Sequence, residues 1–226
     1  MKARQALGLI RSMLSGSGFI SVDDRFPPRR LLTQLKTTLA VLKHRNIAAK
    51  KEFAAVDFYT LRCVELHPVD RVDYPTIPPS GLTWQKSVEP LPKFIYLKGV
   101  TDLLGQKSIT MQQWDTLTSH SNARYKVVSE SPIAAIRSLG DKLYLYVMKS
   151  NLEAVAVTMV PEDYAEAVLF PECGKVDQKL KCNPLDIEIG ASDNLVKEAA
   201  QFILSEELKT NLSARPDIKN NANNLM

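Results

Sequence analysis

The stretch RFPPRRLLTQLKTTLAVLKHRNIAAKK, residues 25–51, governs the reading of the chain. It holds eight Lys or Arg residues and no Asp or Glu, in a protein of 226 residues whose formal net charge is only +4. Leu32, Leu35, Leu39 and Leu42 recur at the spacing that aligns side chains on one helical face, with Leu31 beside them. Pro27-Pro28 ahead of them suits a helix start, because proline presets φ and its missing N–H would be unpaired there anyway. The prediction is a helix with an apolar seam inside a cationic coat. Arg29, Arg30, Lys36, Lys43, Arg45, Lys50 and Lys51 are too many for local ion pairs to neutralise, so the helix is expected to meet an anionic surface, either nucleic acid or an acidic partner subunit.

Before this stretch, Ala3, Ala6, Leu7, Ile10, Met13 and Leu14 form one stripe, predicting a short amphipathic helix over residues 2–14 that needs a packing partner. After it, Val56 to Leu66 shifts to β-branched and aromatic residues and reads as a strand. Prolines at 68, 75, 78, 79, 90 and 92 then predict edge strand and ordered loop, since each removes a ladder donor. Further strand signals fall at 93–98, 108–111, 124–128, 142–148 and 152–160. Leu143, Leu145 and Val147 alternate against Val155, Val157 and Met159, and a hairpin turning through Lys149-Ser150-Asn151 is predicted. Pro161-Glu162-Asp163 opens a short helix to about Leu169. Ser192-Asp193-Asn194 caps a last helix with an apolar face of Leu195, Val196, Ala199, Phe202, Ile203 and Leu208.

The fold class expected is therefore α+β. N-terminal helices (1–55) precede a β-rich core (56–160), an antiparallel sandwich or barrel-like unit, and a helical region (161–210) leads into an extended polar tail (211–226). That tail holds five Asn residues and has no core of its own; Arg215, Pro216, Ile218, Leu225 and Met226 are its candidate inter-subunit contacts.

Catalytic patterns are missing. There is no GxxxxGK[ST], GxGxxG or GxSxG, so phosphate cradling, dinucleotide binding and nucleophile-elbow hydrolysis have no support. His44 lies among cations, His67 precedes a proline-rich loop near Asp70 and Asp73, and His120 sits among Ser and Asn. None has a second ligand placed by spacing, so no catalytic residue, metal or cofactor is assigned. Cys63, Cys173 and Cys182 are three in number with no CxxC pair, and are expected to be free thiols in a reducing, cytoplasm-like space. No apolar run approaches a membrane span, and no membrane role is expected. Trp84, Trp114, Tyr125, Tyr144 and Tyr146 are read as core or oligomer contacts in preference to base-stacking platforms.

The order of these pieces resembles a known group. The short helix, the basic Arg/Leu helix, Leu61-Arg62-Cys63-Val64-Glu65-Leu66 with Val69-Asp70-Arg71, Pro78-Pro79-Ser80-Gly81, Leu91-Pro92-Lys93, the run from Lys142 to Val160 and Asn183-Pro184-Leu185-Asp186 are similar to virion structural proteins of crAss-like bacteriophages. The resemblance covers most of residues 25–220 and implies a ring or adaptor subunit of the head-to-tail region, without catalysis. It further implies a homo-oligomer of twelve copies beneath a twelve-fold portal, with neighbouring ring or tail proteins as partners and genome DNA in the lumen. Such a subunit would be assembled in the bacterial host cytoplasm and reside in the virion. The alternative is a nucleic-acid-binding protein that uses helix 25–51 on phosphates.

Overall fold

The computed structural model describes residues 1–16, 27–69, 83–117, 132–148, 151–171, 173 and 184–213. The chain divides into two compact units, one formed by Met1–Ala54 with Asn183–Met226 and the other by Ala55–Cys182.

The first unit is helical. Helices α1 (Ala3–Gly16) and α2 (Pro28–Ala48) pack with the C-terminal helix, which runs Asp193–Ser213 and is labelled α4. Pro27 caps α2 in extended conformation, Pro28 takes its first turn, and Leu31, Leu35, Thr38, Leu39, Leu42 and Lys43 are buried along it. Leu31, not Leu32, begins the seam; Leu32 is half-buried at its side. The stripe Ala6, Leu7, Ile10 and Leu14 of α1 joins Leu195, Val196, Ala199, Ala200 and Ile203 of α4 in the same core. Each fully buried leucine contributes about 1.5–3 kcal/mol by leaving water, which is what a helix of α1's length lacks in isolation. The partner that α1 needs is thus supplied by its own chain. A short backbone pairing pins its start, with Ala3 N–H donating to Ile187 O at 3.0 Å and Ile189 N–H donating to Met1 O at 3.0 Å.

On α4, Ser192 Oγ accepts the Leu195 N–H at 3.4 Å, the cap expected of Ser192-Asp193-Asn194. Phe202, expected on the buried face, is 43% exposed. The helix continues to Ser213, past the point where the polar tail was expected to begin, and residues 214–226 lie outside the described set.

The second unit is a closed seven-stranded barrel in the order β1-β2-β6-β5-β4-β3-β7. The strands are β1 (Tyr59–Val69), β2 (Trp84–Ser87), β3 (Phe94–Thr101), β4 (Ser108–Met111), β5 (Ile133–Leu139), β6 (Lys142–Met148) and β7 (Ala154–Pro161), followed by a short helix α3 (Tyr164–Val168). All neighbouring pairs are antiparallel except β4 with β5, which run parallel. Leu61 and Val64, three positions apart, would point to opposite faces of a regular strand. A register shift between them restores both to the interior.

Leu145 and Val147 point into the barrel with Val155, Val157 and Met159, as their alternation predicts. Their pairing is a correction: β6 pairs with β5 and β2, and β7 pairs with β1 and β3, so no hairpin joins β6 to β7. Alternation fixes which face a residue takes and says nothing about which strand lies alongside. The hairpin in this region joins β5 to β6, with Leu139 opposite Lys142 and Gly140 at φ 61 opening the two-residue turn. A second correction concerns β2, which follows the proline-rich segment yet lies between β1 and β6; closure of the barrel leaves it no free edge. The strand predicted at 124–128 lies outside the described residues.

Outside the barrel wall, Trp84, Leu117, Ile133, Ala135, Tyr146 and Met148 form another apolar cluster with Trp114 packed against it. Trp114 stands edge-on to Tyr146 at 4.8 Å, and the Arg137 guanidinium stacks 4.7 Å from the Trp114 ring centre. These tryptophans are core-forming, in line with the reading of the sequence.

The cysteines supply a third correction. Cys63 and Cys173 form a disulfide across 110 positions of sequence, with their Cα atoms 5.4 Å apart. The expectation of free thiols rested on count and spacing, which are blind to a contact that the barrel creates. Cys182 lies outside the described residues.

Candidate contact surface on the basic helix

Helix α2 distributes its cations unequally. Lys43 is buried, and its Nζ donates to Gly190 O at 3.2 Å, so it belongs to the interior of the helical unit and not to a contact face. Arg30 is exposed but donates to Glu207 Oε1 at 3.1 Å. The same oxygen accepts Gln34 Nε2 at 2.8 Å. Among the described residues of the stretch, Arg29, Arg45, Lys50 and Lys51 are also exposed and Lys36 is half-exposed.

Between them two hydroxyls of the outward face are engaged by the helix's own backbone. Thr33 Oγ1 donates back to Arg29 O and Thr37 Oγ1 to Thr33 O, both at 3.0 Å. Val41, on the same side one turn further along, is 55% exposed. The surface therefore sets one exposed valine among basic side chains, with His44 also exposed beside it. Its first turn contains no acid, so Arg29 sits at the positive end of the helix dipole. At the other end Lys50 adopts φ 53, with Lys50 N–H donating to Ile47 O and Lys51 N–H to Asn46 O, both at 2.9 Å. That double bond pattern is a Schellman C-cap, in which glycine is the usual occupant of the left-handed position.

The second unit holds a surface the sequence did not reveal, an open cleft of about 460 Å³ lined by Glu89, Pro90, Pro92, Glu166, Leu169 and Phe170 among others. Leu169 is 50% exposed there. Asp163, also at the cleft, caps α3 by accepting the Ala165 N–H at 2.9 Å. Pro171 lines the same cleft two residues before Cys173, so the disulfide ties this wall to β1. Among the described residues no cluster of His, Cys, Asp or Glu is arranged to hold a metal ion, and no helix is long and apolar enough to cross a membrane. The tail candidates Arg215, Pro216, Ile218, Leu225 and Met226, together with His120, Asp70 and Asp73, lie outside the described residues.

An exposed valine set among basic side chains is suited to contact with another macromolecule. The crAss-phage ring family described as phage tail ring protein 2 matches residues 10–225. The chain belongs to this family. Comparison with curated proteins finds no match. Membership makes the chain a structural ring component of a phage tail, and hence part of the virion.

Proposed function

We propose that this protein is a ring subunit of the head-to-tail connector, stacked beneath the portal so that the genome passes through its lumen. The match to a tail ring family over nearly the whole chain carries this reading. It is supported by the compact helical and barrel units and by a cationic, partly apolar helix face that has no carboxylate in its own sequence stretch. Twelve copies would match a twelve-fold portal, and the host cytoplasm would be the place of assembly. The role is scaffolding and requires no chemistry.

The test is direct imaging of the purified protein assembled with portal and adjoining ring proteins. A cyclic particle of high rotational order is expected. A chain that stays monomeric with those partners present overturns the reading.

A second reading, binding of nucleic acid by Arg29, Arg45, Lys50 and Lys51, draws on the same charge. It requires duplex affinity that falls steeply with salt, and flat or absent affinity removes it.

A further inference from the structure

We propose that the ring closes by seating the C-terminal half of α2 of one copy, through Val41, Arg45 and the Lys50-Lys51 cap, in the acidic-rimmed cleft of the next copy at Glu89 and Glu166. This rests on the ring reading and names the two surfaces that the ring requires. A cyclic assembly of more than two identical chains is heterologous, so each copy must carry two different, mutually complementary faces. The chain displays such a pair.

On one side, Val41 is 55% exposed and lies between basic flanks, and the hydroxyls of Thr33 and Thr37 are engaged by the helix's own carbonyls. Nucleic-acid backbones are gripped by free hydroxyl, amide and guanidinium donors. Here the hydroxyls of Thr33 and Thr37 are already engaged, while exposed Val41, with His44 and Arg45 beside it and the Lys50-Lys51 cap beyond, sets an apolar group among basic ones, which matches an apolar patch with acidic borders.

On the other side, the cleft has a floor of Pro90, Pro92 and Phe170, with Leu169 half-exposed at its lip. Glu89 and Glu166 border it in exposed positions, and neither forms an ion pair among the described residues. The cleft, about 460 Å³, is open enough to admit side chains of a partner. Aliphatic stems of Arg45 and the two lysines can lie over its apolar floor while their charged ends meet the carboxylates at the rim. The occupant indicated by charge and shape is therefore a second copy of this chain.

The test uses assembled rings made from an equal mixture of isotopically heavy and light protein, treated with a carbodiimide that joins a carboxylate directly to a neighbouring amine. Cross-linked peptides pairing Glu89 or Glu166 with Lys50 or Lys51 are expected, with about half of them of mixed isotope composition, as random mixing of copies dictates. Cross-links of uniform isotope composition would place the contact within one chain and overturn the proposal. Intact rings without these cross-links would overturn it while leaving the ring reading standing, and failure of the wild-type chain to form rings would remove both.

A second arm reverses the charges. Glu89→Arg with Glu166→Arg should lower ring yield at least about tenfold, and combination with Arg45→Glu, Lys50→Glu and Lys51→Glu should restore it, as expected for paired interface charges. Unchanged thermal unfolding of each variant separates this from misfolding. Undiminished ring yield in the first variant overturns the proposal.

Discussion

The carboxylate of Glu207 lies 3.1 Å from the guanidinium of Arg30, joining the C-terminal helix to the first turn of the basic helix across 177 positions of sequence. The Glu207 side chain is 11% exposed and that of Arg30 is 53% exposed, so the pair straddles the boundary of the helical unit. Gln34 donates to the same oxygen, which makes Glu207 the shared acceptor of both side chains. Placing a carboxylate here also offsets a cation that the helix dipole disfavours at this end.

Removing the shared acceptor should therefore cost more than removing one donor. Glu207→Ala is expected to destabilise the protein by about 1–3 kcal/mol, because it removes a nearly buried acceptor that a half-buried amide and a guanidinium share. Arg30→Ala should cost under about 1 kcal/mol, since its exposed end is screened by water and Gln34 still reaches the carboxylate. Urea unfolding of the two variants checks the order. Equal losses would mean that Gln34 contributes nothing.

Lys43 and Arg45 look alike in sequence and should behave as opposites. Lys43→Ala opens space in the helical core and leaves Gly190 O without this donor, for an expected loss of about 2–4 kcal/mol. Arg45→Ala, at an exposed position, should shift stability by no more than about 0.5 kcal/mol and should instead weaken ring assembly. Denaturation midpoints and ring yield, measured on both variants, give a crossed pattern.

How much of this was legible follows from what each signal encodes. The seam Leu35, Leu39 and Leu42 and the stripe Ala6, Leu7 and Ile10 could be read because helical spacing is local. Likewise the inward set of β6 and β7 followed from alternation, while the neighbours of each strand depended on barrel closure and could not. Strand β5 escaped notice because Ala134 faces the barrel core while Ile133 and Ala135 face the outer cluster, which erases the polar beats of a half-buried strand. At the candidate surface, the sign of the charge was plain in residues 25–51. Which cations point outward was not, since Lys43 is claimed by a carbonyl 147 positions away. The cleft and the Cys63–Cys173 bond arise only when distant segments meet.

Cys63–Cys173 closes a loop whose ends are 110 residues apart, so its reduction should enlarge the unfolded ensemble substantially. Cys63→Ser with Cys173→Ser is expected to lower stability by about 2–5 kcal/mol. The same loss should follow when the wild-type chain is unfolded in reductant, and reductant should leave the double variant unaffected. Because Pro171 of the cleft wall lies two residues from the bond, the double variant should also form rings less efficiently.

Lys50 is the described non-glycine residue with positive φ, at 53°, in a position where glycine is the low-strain choice. A β-carbon in the left-handed region costs about 1–2 kcal/mol, and nothing in the cap's hydrogen bonds, both made by backbone groups, calls for an ammonium there. Lys50→Gly should accordingly stabilise the helical unit, though the added freedom of glycine in the unfolded chain reduces the net gain to about 0.5–1 kcal/mol. If the cation is retained for contact with the next copy, the same change should lower ring yield even as the unfolding midpoint rises. Lys50→Asn keeps tolerance for the left-handed conformation without the charge, and should reproduce the assembly defect. A stabilised variant with full ring yield would show that the strained lysine has no part in joining subunits.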